Sequence, residues 1–287
     1  MPLEIAIPDT SLSDCSNLRQ KTIKIGQIAR ALAVFKVEKV LIYETESNEK
    51  ERRDLNLLDK LLRYMDTPQY LRRTVFSMAP SLKYAGILPP LRTNSHPLGK
   101  SINDVFDGEV RWGLQTGPGQ VDLGLNELVE YPDKVSTRVP TLFQIQLREN
   151  RVLLRPITRD SVDYYFGFDV ETTNDLLGYL QANADKTRIA LSRLGTVFSK
   201  IESEIGTVLS SSKSMIAVFG GPQFGIRELL AEKKDLLKES IDYWVNTIHD
   251  QGTETVRLEE ALWGSLAMFN SSFGSIVTKP GFHKGKQ

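Results

Sequence analysis

Strand and helix patterns alternate through residues 3–65, give way near Ile87-Leu88-Pro89-Pro90 to short alternating runs, and return near Phe166. Such a chain builds an α/β layer from its two ends and a small β module from its middle. Residues 3–7 are a continuous apolar run, stopped by Pro8 and Asp9. Ile25, Ile28, Leu32 and Phe35 recur at helical spacing, with Gly26 inside the helix, and Val40-Leu41-Ile42-Tyr43 is the next strand. This order predicts a βαβ unit in a parallel sheet. A charged amphipathic helix follows over residues 49–65, with Leu57, Leu58, Leu61 and Leu62 on its apolar side. In the last third, strands are expected at residues 168–170, 187–191, 215–219 and 241–245. Helices are expected at 173–183, 196–207, 226–231 and 256–270. The middle carries strand patterns at 109–114, 120–125, 138–147 and 151–157, parted by turns such as Thr116-Gly117-Pro118-Gly119 and Glu149-Asn150. An antiparallel module of OB-fold or barrel size is predicted. The division is therefore residues 1–90 with 163–275 as one α/β domain, 91–162 as a β insert, and 276–287 as a basic tail, disordered from 279.

The totals exclude several classes. The single cysteine, Cys15, forms no internal disulfide or thiolate cluster and points to a reducing, cytoplasmic setting. His96, His249 and His283 have no metal-ligand spacing, so no metal site is expected. There is no run of 18 apolar residues and no signal-peptide pattern, so no membrane association is expected. The formal net charge is zero, so contact with nucleic acid must be judged from local patches.

Three strand-end loops stand together in the C-terminal part: Leu191-Ser192-Arg193, Phe219-Gly220-Gly221-Pro222, and residues 246–255. Ligands of open α/β sheets bind at the carboxyl ends of strands. Gly220 and Gly221 either make a turn or let a ligand approach the backbone closely. No Gly-Lys-Ser/Thr follows and the dinucleotide spacing is absent, so a nucleoside-like ligand fits better than a polyphosphate. Glu254 is open to two readings, a catalytic carboxylate or a favourable charge at a helix start. A lone loop histidine such as His249 is more often incidental than a base. Residues 16–37 hold Arg19, Lys21, Lys24, Arg30 and Lys36 and no acid. Residues 138–159 hold Arg138, Arg148, Arg151, Arg155 and Arg159 against one acid, Glu149. Arg72 and Arg73 beside Tyr70, and Lys279, Lys284 and Lys286 near the end, extend the basic surface. Each patch is either a solvated face or a phosphate contact for RNA.

Lys24-Ile25-Gly26-Gln27-Ile28-Ala29-Arg30-Ala31-Leu32-Ala33-Val34-Phe35 resembles the first motif of the SPOUT RNA methyltransferases. Residues 218–226 resemble their second motif and residues 246–270 their third, in the same order. Ile5-Ala6-Ile7-Pro8-Asp9, Thr67-Pro68-Gln69-Tyr70-Leu71-Arg72, Tyr84-Ala85-Gly86-Ile87-Leu88-Pro89-Pro90-Leu91-Arg92 and Gly252-Thr253-Glu254-Thr255-Val256-Arg257 resemble the archaeal and eukaryotic subfamily with an OB-like insert. The resemblance spans nearly the whole chain. It implies an α/β fold with a C-terminal trefoil knot, interrupted by a small all-β OB-like insert. It also implies S-adenosylmethionine bound in the knot, and a homodimer with the active site at the subunit interface. Carried over, the cofactor residues are Leu191, Ser192, Arg193, Phe219, Gly220, Gly221, Asn246, Thr247, Ile248, Gly252, Thr253 and Val256. Arg30 matches the motif-one arginine and, with Glu254, is the expected catalytic residue. RNA contacts are expected from Arg19, Lys24, Arg72, Arg73, Arg138, Arg148, Arg151 and Arg155. Gln27 and Gln223 differ from the residues of the 2′-O-methylating branch, so a ribose mechanism does not transfer directly. The expected activity is methylation of ribosomal RNA, with uridine N3 the preferred target. The competing reading is a non-catalytic RNA-binding ribosome-assembly factor, which need not bind S-adenosylmethionine.

Overall fold

A computed structural model describes residues 3–45, 48–149, 151–212 and 214–281. The tail lysines Lys284 and Lys286 lie outside the described residues. The chain divides into two compact units. The first comprises Met1–Arg63, Ser81–Pro89 and Phe168–Lys279; the second comprises Tyr64–Pro80, Pro90–Gly167 and Pro280–Gln287.

The first unit is built on a six-stranded parallel sheet. Its strands are β1 (Leu3–Pro8), β2 (Lys39–Tyr43), β8 (Asp169–Thr173), β9 (Thr187–Val197), β10 (Met215–Val218) and β11 (Tyr243–Asn246), in the order β11-β9-β10-β1-β2-β8. Every residue of β1 is buried. A strand covered on both faces needs apolar residues at each position, which is why its sequence does not alternate. Helix α1 (Leu18–Val34) starts where the Asn17 side chain accepts from the Gln20 N–H at 3.0 Å. Its Gly26 has a packing reason: a Cβ there would lie 2.9 Å from Pro89 Cδ. Helix α2 (Glu49–Asp66) buries Leu57, Leu58, Leu61 and Leu62, as its periodicity requires. Helices α4 (Leu176–Ala182), α5 (Phe198–Ser212), α6 (Ile226–Leu229), α7 (Lys234–Glu239) and α8 (Leu258–Val277) complete the layer. Helix α8 packs on α1 and α5. It runs past the expected end at residue 270 because Phe269 and Phe273 stack edge-wise and tilted with Phe198.

Strand β9 differs most from expectation. The pattern predicts a strand ending at Leu191 and a helix from 196, but the strand continues to Val197. Strand β11 pairs Trp244 with Ala190 and then Val245 with Thr196, so residues 191–195 leave the ladder between those two points. Where the chain rejoins, the Gly195 Cα sits so close to β11 that a Cβ would lie 2.7 Å from backbone atoms of Trp244 and Val245.

The second unit holds an antiparallel five-stranded sheet, in which residues 110–117 lie at the centre. The strands are β3 (Val110–Gly117), β4 (Gln120–Asp122), β5 (Val129–Glu130), β6 (Thr141–Arg148) and β7 (Arg151–Ile157). Strand β6 begins at Thr141, not 138, because Arg138 and Val139 are exposed ahead of Pro140. Val121, Leu123, Val129, Tyr131, Phe143 and Ile145 form its core. Within that core Arg111 is fully buried, paired with Glu109 at 2.8 Å and donating to the Leu123 carbonyl at 3.2 Å. Helix α3 (Gln69–Val75), in the same unit, sets the Tyr70 hydroxyl 2.7 Å from the Trp112 carbonyl it donates to. His96 lies 2.8 Å from the Met65 carbonyl through Nε2, and burial lowers its pKa below the usual histidine value.

Candidate active site

The excursion of residues 191–195 is one wall of a cavity of about 270 Å³ in the first unit. Leu191, Ser192 and Arg193 come from it, Phe219, Gly220 and Gly221 from the end of β10, and Asn246, Thr247 and Ile248 from the end of β11. Val256 closes the rim before α8. The strand ends converge because β9 lies between β10 and β11 in the sheet. Gly252 and Thr253 are not on this wall; Thr253 lines a second, adjoining cavity.

Hydrogen bonds fix the three segments. The Tyr43 hydroxyl donates to the Phe219 carbonyl at 2.7 Å, and burial pushes its pKa far above the phenolic range, so it remains a donor. The Gly221 N–H donates to the Phe224 carbonyl at 2.9 Å, closing the second loop on itself. Asn246 donates from Nδ2 to the Arg193 carbonyl at 2.9 Å and accepts from the Ile248 N–H at 3.1 Å, tying the first segment to the third. Thr247 and Ser265 of α8 share a hydroxyl hydrogen bond of 2.7 Å. Arg193 Nη1 donates to the Glu254 carbonyl at 3.3 Å.

Glu254 lines the cavity and does not start the helix. At the start of α8 it is Glu260 that accepts from the Arg257 N–H, at 2.9 Å, so the helix-start reading of Glu254 is replaced by a place on the cavity wall. Leu194, Arg227, Ala261 and Ser265 also line the cavity and were not anticipated. The spacing of Leu258, Ala261 and Ser265 puts them on one helical face, a signal that was present in the sequence.

The lining combines apolar and polar groups, as a nucleoside-like ligand requires. Leu191, Phe219, Ile226, Ile248, Val256 and Leu258 give an apolar slot for a planar base, and the loop backbones and Thr247 give polar contacts. Two guanidinium groups line it, and Arg227 is stacked over Trp244 at 4.3 Å. That is not the amide nest a polyphosphate requires.

A family described as "Putative RNA methyltransferase" matches residues 2–269. The chain belongs to this RNA methyltransferase family. An uncharacterised protein of Halobacterium salinarum is 30% identical over 93% of the chain and 98% of its own length. The 28S rRNA (uridine-N(3))-methyltransferase of Mus musculus is 28% identical over 97% of the chain and 78% of its own length. Its Homo sapiens counterpart is 26% identical over 92% of the chain and 77% of its own length.

The basic residues of this RNA methyltransferase separate into buried and exposed sets. Lys24 is corrected as an RNA contact. Its side chain is 4% exposed, and its Nζ lies 2.7 Å from Asp14 and 3.0 Å from Glu259. Arg72 is corrected too: its guanidinium donates to the Thr67 carbonyl at 2.9 Å and the Met65 carbonyl at 3.0 Å and lies over the Tyr64 ring. Arg19, Arg73, Arg138, Arg148, Arg151 and Arg155 are exposed. Arg30 is half-buried on α1, in line with Ile23, Gln27 and Val34, and is not among the residues lining the cavity. Among the described residues no group of His, Cys, Asp and Glu is placed to hold a metal ion, and no helix is long and apolar enough to cross a membrane.

Proposed function

We propose that this RNA methyltransferase is a SPOUT enzyme that uses S-adenosylmethionine to methylate N3 of a uridine in ribosomal RNA. One observation carries the reading: three strand-end loops and the first turns of α8 close around a single cavity with a nucleoside-like lining. The relatives named as uridine-N3 methyltransferases of 28S rRNA support the target. The trefoil-knot reading is supported by β11, which pairs with β9 on both sides of the 191–195 excursion before the chain continues into α8. The OB-like reading of the insert is supported by its five antiparallel strands around one apolar core.

S-adenosylmethionine supplies a methyl group already activated on a sulfonium. The residues of this chain have the remaining tasks. The apolar slot formed by Phe219, Ile248 and Leu258 would hold the adenine, and Asn246 keeps the first and third loops at a fixed separation. Uridine N3 must lose its proton to attack, so a carboxylate such as Glu254 and a cation such as Arg30 have defined roles as acceptor and anion stabiliser. The homodimer reading is supported by an apolar stripe on the first unit. Ile23 and Val34 of α1 are each 43% exposed, and Trp263 of α8, in edge contact with Phe35, is 37% exposed. Arg30 lies on that stripe, so a dimer formed through it would place Arg30 at the subunit interface.

Calorimetric titration with S-adenosylhomocysteine tests the reading. Micromolar binding by a dimer in sedimentation is expected. Ala261→Phe, which enlarges a helical side chain on the cavity wall, should lower affinity at least 10-fold without unfolding the protein. A folded wild-type protein that binds neither S-adenosylhomocysteine nor S-adenosylmethionine would support the assembly-factor reading instead.

The RNA contacts are assigned to the β6–β7 ribbon. Register places Gln144 opposite Arg155, Gln146 opposite Leu153 and Arg148 opposite Arg151, all on the face away from the core around Phe143 and Ile145. The open end of this face carries Arg148, Arg151 and Arg155, which suits phosphate contact. Removing Arg151 and Arg155 together should weaken RNA binding across sequences and reduce the salt slope by about 1–2. An unchanged slope would reject the assignment.

A further inference from the structure

Beside the first cavity lies a second of about 450 Å³, within the same unit. Arg193, Leu194, Asn246, Ile248, Gln251 and Glu254 line both. His249, Asp250 and Thr253 line the second and not the first. We propose that this second cavity receives the target uracil, turned out of the RNA, and that Glu254 on the shared wall accepts its N3 proton. The inference rests on the methyl-transfer reading above and gives that reading its substrate subsite.

The chemistry of the lining matches one base. The uracil edge presents O4, N3–H and O2, an acceptor, a donor and an acceptor. Its complement is a donor, an acceptor and a donor. Among the lining residues, Arg193 and His249 carry side-chain donors and Glu254 carries a side-chain acceptor. Cytosine presents a donor and two acceptors, and leaves this set mismatched. Leu194 is 72% exposed at the rim and offers an apolar surface to a base leaving its stack.

The wall is braced before any ligand enters. Gln251 Nε2 donates to the carbonyls of Thr253 at 2.9 Å and Glu254 at 3.1 Å, and Arg193 Nη1 reaches the Glu254 carbonyl at 3.3 Å. Asp250 holds φ at 54°, the left-handed region, which turns the loop at the second cavity's edge. A shared wall is what methyl transfer between neighbours requires, because donor and acceptor must meet in line. The N3–carbon bond forms as the carbon–sulfur bond breaks, the bond pair staying on sulfur to leave a neutral thioether. The N3 proton goes to the Glu254 carboxylate, so charge is conserved.

The test uses the full chain, S-adenosylhomocysteine, S-adenosylmethionine, and matched RNA oligonucleotides with uridine or cytidine at the target position. Glu254→Gln, measured at saturating S-adenosylmethionine, should lower the methyl-transfer rate by about 10²–10⁴. His249→Ala should keep cofactor affinity and reduce the preference for binding the uridine oligonucleotide at least 10-fold. The proposal is overturned if Glu254→Gln at saturating cofactor transfers methyl at the wild-type rate, if His249→Ala discriminates as wild type does, or if His249→Ala loses cofactor affinity in parallel. A wild-type protein that binds no cofactor would instead remove the underlying methyltransferase reading.

Discussion

Alanine at position 195 is expected to destabilise the protein by about 1–3 kcal/mol and to abolish cofactor binding. Gly195 is the point where the returning chain of β9 meets β11. A Cβ there would lie 2.7 Å from Trp244 C and from both Val245 N and Val245 C. These are backbone atoms in a paired strand, so no rotamer change relieves the clash. The strands must separate, and the 191–195 excursion that forms a cavity wall moves with them. Ordinarily Gly→Ala stabilises by about 0.4–1 kcal/mol through the unfolded chain, so the sign is reversed by packing alone. Gly252→Ala is the control, because nothing lies within 4 Å of its would-be Cβ. Urea unfolding and S-adenosylhomocysteine titration of both variants measure the contrast. A Gly195→Ala protein as stable as wild type would contradict the crossing geometry.

Lys24→Met is the second large effect. The lysine joins Asp14, ahead of α1, to Glu259 in the first turn of α8. Removing it leaves two carboxylates facing each other with little solvent, since Glu259 is 12% and Asp14 28% exposed. Breaking a buried pair costs about 3–5 kcal/mol, and the partial exposure of Asp14 favours the lower end. About 3 kcal/mol corresponds to a fall of roughly 6–12 °C in melting temperature. Adding Glu259→Gln should recover part of that loss. The RNA salt slope should not change, because Lys24 has no surface to offer a phosphate. An unchanged melting temperature with a reduced slope would return Lys24 to the RNA interface.

These two residues show where the sequence was legible and where it was not. The buried parallel strand Leu3–Pro8, the leucine face of α2 and the bounds of β7 follow from local pattern, because burial on a regular element leaves a period. The three loops around the cavity were also readable, since glycine, proline and small polar residues follow short apolar strands there. The continuation of β9 past Leu191 was not. It depends on pairing with a strand some 50 residues later, and a break in that ladder leaves no periodic trace. Lys24 and Arg72 read as surface cations because partners distant in sequence, or backbone carbonyls, supply their counter-charge. The expected helix ends at Asn270, while buried Phe273 and Val277 keep α8 packed beyond it.

Nucleoside analysis by mass spectrometry, after incubation of the protein with S-adenosylmethionine and ribosomal RNA lacking the modification, tests the central claim most directly. The account predicts a methyl group on the uracil fragment, as N3-methyluridine, made by wild type and lost in Glu254→Gln. A methyl group on the ribose fragment, or no transfer by a protein that binds both cofactor and RNA, would contradict it.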